Sequence, residues 1–139
     1  RDLHRYIRRQ RQMCIRDSVI EVVSHAAATT VDFNGITAID KDLTSTDSNQ
    51  TIDTFSKVTF RTVKYSAQIE HDSDSKYHSE EILLTHNGTT VAMTTYGQIL
   101  LDSNLGEFDA AISGNDVLLK FTPTKTNTSV KLRAIRTQA

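Results

Sequence analysis

Two polar turns divide residues 64–101 into three runs of alternating apolar and polar side chains, which restricts this stretch to antiparallel β-structure. Val63, Tyr65, Ala67 and Ile69 fall on one face of the first run, Ile82 and Leu84 on one face of the second, and Val91, Met93 and Thr95 on one face of the third. The sequence His86-Asn87-Gly88-Thr89 joins the last two. Asn-Gly there supplies the two positive φ angles that a two-residue hairpin loop requires. The tip between the first two runs is residues 72–76, DSDSK.

The chain opens very differently. Residues 1–18 hold six arginines against Asp2 and Asp17, a balance that reads at first as a nucleic-acid-binding arm or a targeting peptide. Residues 8–18, RRQRQMCIRDS, match the translation of a transposase adapter from short-read sequencing libraries. Arg1-Asp2-Leu3-His4 matches the adapter's upstream part, and Arg5-Tyr6-Ile7 fills the three codons of its sample index and one adapter base. Residues 1–18 are therefore expected to be a translated adapter artefact and are set aside for the fold, with Val19 a fragment boundary. The whole chain carries 16 Lys+Arg and 17 Asp+Glu; without those eighteen residues the counts are 10 and 15, a net charge of −5. Cys14, the sole cysteine, leaves with them, so no disulfide, thiol nucleophile or cysteine metal site is expected. A mildly acidic remainder gives no footprint for nucleic acid, and no apolar run is long enough for membrane insertion.

From residue 19 onward, Thr, Ser, Asp, Asn and β-branched residues dominate, and only residues 20–28 suit a short helix. Residues 19–50 are expected to form an N-terminal fragment with a short hairpin (29–33, Asn34-Gly35, 36–39) and a polar loop over 40–50. Residues 51–139 are expected to be the β-sandwich core, with 19–139 one domain. The apolar parity of residues 58–71 changes between Phe60 and Val63, which predicts a bulge there. Leu105, Phe108 and Ala110, then Val117, Leu119 and Phe121, then Val130, Leu132 and Ala134 mark inward faces of three more strands. Short strands with turns every ten residues or so point to an all-β fold, an antiparallel β-sandwich or jelly-roll-like barrel.

Chemistry is sparse. His71, Asp72, Asp74 and His78 flank one turn and are weak metal candidates, set against the ordinary turn composition of DSDS and its lack of an EF-hand pattern. No metal, catalytic or cofactor-binding residue, and no cofactor, is assigned. Glu80 and Glu81 point to opposite faces of a strand and cannot share a glycosidase site; either one with Glu107 or Asp109 is the remaining carboxylate pairing. No nucleophile elbow or phosphate-binding glycine loop is present. Tyr65, Tyr77 and Tyr96 are candidate glycan contacts, against their commoner use as strand-pair or core-edge residues. The chain is expected not to be an enzyme.

Four segments carry a resemblance: TIDTFSKVTFRTVKYSAQI (51–69), SEEILLTHNGTTVAMTTYGQIL (79–100), LGEFDAAISGNDVLLKFTPT (105–124) and NTSVKLRAIR (127–136). Together they resemble a β-domain of virion structural proteins in marine T4-like tailed phages, cyanophages and their relatives. Shared features are an Asp-x-Phe lead-in, a Lys-Tyr strand opening, the His-Asn-Gly-Thr hairpin, a Tyr-Gly, a Leu-Gly-x-Phe-x-Ala and a closing Asn-Thr-x-Val-Lys strand. A metagenomic phage source would also fit the adapter. The resemblance implies a non-enzymatic virion module of the tail, baseplate or fibre, whose partners are other virion proteins in a homo- or hetero-oligomer. A glycan-binding adhesin module that contacts a host-surface glycan is the alternative. Neither reading involves nucleic acid or membrane insertion.

Overall fold

The computed structural model describes residues 35–139, so the adapter match, the short helix over 20–28 and the first arm of the 29–39 hairpin lie outside the described residues. Eight strands follow one another: β1 (Ile36–Leu43), β2 (Gln50–Ser56), β3 (Phe60–His71), β4 (Lys76–His86), β5 (Val91–Leu101), β6 (Gly106–Ser113), β7 (Asp116–Pro123) and β8 (Thr128–Gln138). Strands β1-β8-β3-β4-β5 form one sheet and β2-β7-β6 the other, every pairing antiparallel. The expected all-β sandwich is the fold, built five strands on three.

Period-2 patterning decides what lies between the sheets. Val63, Tyr65, Ala67 and Ile69 of β3, Ile82 and Leu84 of β4, and Val130, Leu132 and Ala134 of β8 face Val117, Leu119 and Phe121 of β7, with Leu105 and Phe108 closing one side. Burying an aliphatic or aromatic side chain of this size contributes ~1.5–3 kcal/mol. The Phe108 and Phe121 rings meet at 4.6 Å between centroids, a tilted contact. Gly106, at φ 152°, allows this packing: a Cβ there would overlap the Phe121 ring and the Thr122 carbonyl.

Three local expectations change in detail. The register shift expected near Phe60 occurs between Phe60 and Thr62 against β8. Residues 40–43, expected in a polar loop, instead continue β1, paired from Asp40↔Lys131 to Leu43↔Thr128. Pairing with β8 and burial of Leu43 override the turn-like composition there. As a result the sandwich extends N-terminal to residue 51. The β4–β5 loop is also longer than the expected two residues. His86↔Val91 is the last pair, the Asn87 amide donates to the Thr90 carbonyl at 3.0 Å, and Asn87 Oδ1 accepts from the Thr89 and Thr90 amides. With that side-chain cap, only Gly88 needs positive φ.

One end of the sandwich closes on a buried polar cluster. Arg136 of β8 donates through Nη2 to Asp53 Oδ1 and Oδ2 of β2 at 2.9 and 2.7 Å, and through Nη1 to Thr37 Oγ1 of β1 at 3.1 Å. The Tyr65 hydroxyl of β3 donates to Asp53 Oδ2 at 2.8 Å. The guanidinium lies 5.6 Å from the Phe55 ring centroid and 5.7 Å from that of Phe60. Asp53→Ala leaves Arg136 charged and unpaired under both sheets. It is expected to cost about 3–5 kcal/mol in urea denaturation, against about 0–1 kcal/mol for Asp40→Ala at the exposed Arg133–Asp40 pair.

Candidate functional site

The structure separates the residues singled out in the sequence. Tyr65 is fully buried, so it is withdrawn as a glycan contact: its ring is core and its hydroxyl is committed to Asp53. Burial, reinforced by the Asp53 charge and that hydrogen bond, pushes the phenol far above its ordinary value of 10.0. Tyr77 and Tyr96 remain exposed, on the outer face of β4 and β5.

The four weak metal candidates do not converge. His78 is fully buried, its Nδ1 accepts the Leu105 amide at 3.3 Å, and its Nε2 lies 3.1 Å from Glu80 Oε1. This network assigns the ring proton to Nε2, and no lone pair remains for a metal. His71 Nδ1 lies 3.4 Å from Asp74, which Lys125 also reaches at 3.4 Å. Among the described residues no three His, Cys, Asp or Glu side chains gather to hold a metal. The remaining carboxylate pairing also fails. Glu80 is buried with His78, Glu81 sits on the outer face of the larger sheet beside Lys64, and Glu107 and Asp109 are exposed on β6 of the other sheet.

What the fold does bring together is the outer face of β4 and β5. Leu83, Tyr96, Ile99, Tyr77 and Leu101 form an exposed strip there, with Ile99 at 66% and Leu101 at 64% exposure. Strict alternation from Val91 would have turned Ile99 and Leu101 inward. The register explains the reversal: Glu81 pairs with Tyr96 but Ser79 pairs with Ile99, so β5 holds one extra residue opposite Glu80. Gly97 takes φ 66° at this bulge. Gln98 turns inward, donating to Glu80 Oε1 at 3.1 Å and lying 3.2 Å from His78 Nε2. The sequence signal for this strip was present, because residues 91–101 contain no charged side chain. Its importance depends on strand order, which places β5 at the edge of its sheet.

Two hollows lie along this strip. One, of about 200 Å³, is lined by Gln68, Tyr77, His78, Ser79, Ile99 and Leu101. Another, of about 450 Å³, is lined by Thr62, Leu83, Thr85, Ala92 and Thr94 with Leu84 and Met93 beneath. Charge interrupts the strip at Glu81 of β4, opposite Tyr96 and 3.6 Å from Lys64 of β3, and returns beside it where Lys131 of β8 meets Glu70 of β3 at 2.8 Å.

No protein-family model matches the chain, and no curated protein matches it. Among solved structures it is similar to the tailspike protein of Acinetobacter phage vB_ApiP_P1, at 16% identity and a TM-score of 0.48 over 88% of this chain and 25% of that one. It is also similar to tailspike gp49 of Acinetobacter baumannii bacteriophage Fri1, a capsular polysaccharide depolymerase, at 13% identity and a TM-score of 0.42 over 86% and 23%. For the tailspike of Acinetobacter baumannii phage AM24 the values are 12% and 0.35, over 77% and 24%. This chain thus spans about a quarter of each tailspike, and no residue role is carried across. The expectation that the chain is not an enzyme is nevertheless overturned, since a protein it is similar to is a depolymerase. That expectation rested on residues and motifs of this chain alone, which spans about a quarter of that depolymerase.

The Glu70–Lys131 pair at the border of the strip makes a pH-dependent contribution. The hydrogen bond from Lys131, with a second from Gln68, holds the Glu70 carboxyl below its ordinary 4.5 despite burial. A lowered folded-state value stabilises the fold above pH 4.5 and is lost as pH falls below it. The melting-temperature gap between wild type and Glu70→Gln is expected to be widest near neutral pH and to close as the solution is acidified below 4.5.

Proposed function

We propose that this chain is a structural module of a tailed-phage virion, acting in particle assembly within the tail, baseplate or fibre. The observation that carries the reading is β5, an uncharged edge strand flanked by an exposed apolar strip. An edge strand offers unpaired amides and carbonyls, and proteins that remain alone usually protect such edges with lysines, prolines or inward charges. β5 has none of these, and its one protective irregularity is the bulge at Gly97 and Gln98, beyond the stretch from Val91 to Tyr96. Its exposed Ile99 and Leu101 suit burial against another protein, and apolar burial is not screened by the salt of a marine environment. The motif resemblance to virion proteins of marine T4-like phages supports the same placement, with localisation in the particle.

Tyr77 and Tyr96 favour a second reading, contact with a host-surface glycan. Both are exposed on one face, roughly 13 Å apart by strand geometry, with Ile99 between them.

Mass spectrometry of purified tailed-phage particles carrying this sequence tests the proposal. Peptides from residues 77–120 are expected in stoichiometric amounts within intact virions. Their confinement to infected-cell lysate would sink the assembly reading. Under the glycan reading, Tyr77→Ala with Tyr96→Ala is expected to lower retention on host-surface polysaccharide about tenfold or more, with an unchanged circular dichroism spectrum.

A further inference from the structure

We infer that the β4–β5 loop is a self-modification site: the Asn87 side chain closes onto the Gly88 amide nitrogen to form a succinimide, with His86 as the general base. The inference is independent of the assembly reading.

His86 is a buried imidazole outside both the apolar core and the exposed strip. Its Nε2 lies 2.8 Å from the Phe60 carbonyl, which can only accept, so the ring proton sits on Nε2. Nδ1 keeps its lone pair and accepts from the Gly88 amide at 3.1 Å. A neutral imidazole is thereby oriented by one backbone group and aimed at another, within the reach that a general base needs.

The amide it faces is the reactive one. Attack by the nitrogen that follows an asparagine on that residue's side-chain carbonyl carbon closes a five-membered ring, and glycine there offers the least steric resistance. A Cβ built on Gly88 would meet nothing within 4 Å, so the loop has room to turn. The electrophile is prepared as well. Asn87 Oδ1 accepts from the Thr89 amide at 2.9 Å and the Thr90 amide at 2.7 Å, the distances at which paired donors stabilise an oxyanion. Both bonds strengthen as charge develops on Oδ1. Lys57 Nζ, donating to the Gly88 carbonyl at 3.0 Å, and the Asn87 amide, donating to the Thr90 carbonyl at 3.0 Å, hold base, nucleophile and donors in one loop.

The step balances within the loop. The Gly88 N–H proton passes to His86 Nδ1 as the nitrogen bonds to Asn87 Cγ. The Oδ1 anion then collapses, the Cγ–Nδ2 bond breaks, and the proton carried by His86 leaves on Nδ2 as ammonia. Water opens the ring at either carbonyl, giving aspartate or isoaspartate. An aspartate keeps both amide bonds of the original side chain in charge-assisted form, so the fold accommodates it while the loop tip gains a negative charge.

Peptide mapping of the full chain during incubation in warm neutral buffer tests the inference, with Asn104 and Asn115 as internal references. Folded wild type is expected to accumulate aspartate and isoaspartate at position 87 about tenfold or more faster than the same chain unfolded in guanidinium chloride. His86→Gln, which puts a polar amide in place of the basic nitrogen, is expected to lose that acceleration with a circular dichroism spectrum like wild type. Hydrogen bonding alone would hold Asn87 still and slow its conversion, so a merely structural loop gives a folded rate below the unfolded one. Conversion no faster in the fold than in denaturant would overturn the inference, as would a folded His86→Gln chain that converts at the wild-type rate.

Discussion

The ion pair between Asp53 and Arg136 joins what sheet hydrogen bonds cannot. Asp53 belongs to the three-stranded sheet and Arg136 to the five-stranded one, so their contact spans the layers directly. Tyr65 and Thr37 add β3 and β1 to the same cluster, and Phe55 and Phe60 cover the guanidinium. Apolar interdigitation would tolerate small slides of one sheet over the other; a bidentate buried pair tolerates few. The stacking of five strands on three is thus held at this end of the sandwich by a polar contact as well as by the core.

Much of this was legible in the sequence. Alternation identified the inward faces of β3, β4, β7 and β8, because a strand buried on one side repeats every two residues. The bend near Phe60 was legible because a parity change has few other causes. Two features were not. Residues 40–43 read as loop, and only the distant β8 makes them strand. Tyr65 was read both as an inward residue and as a surface contact, and nothing local reveals that Asp53 and Arg136 await its hydroxyl.

The strip on β4 and β5 was the hardest feature to anticipate. Its composition was visible, but edge position is a property of sheet order, and sheet order follows from contacts far apart in sequence. The buried trio behind it is equally non-local. His78 and Glu80 are neighbours on β4, but Gln98 reaches them only because β5 bulges, and the Leu105 amide completes the set after the chain has crossed to the other sheet.

That bulge makes the outer face of β5 depend on strand length as well as on composition. A substitution changes one side chain, whereas gain or loss of a single residue at Gly97 inverts everything downstream in β5. Leu100 would exchange places with Ile99 and Leu101, and the apolar strip would shorten without any change in composition. A one-residue change in length at this point would therefore redraw the outer surface more than most single substitutions could.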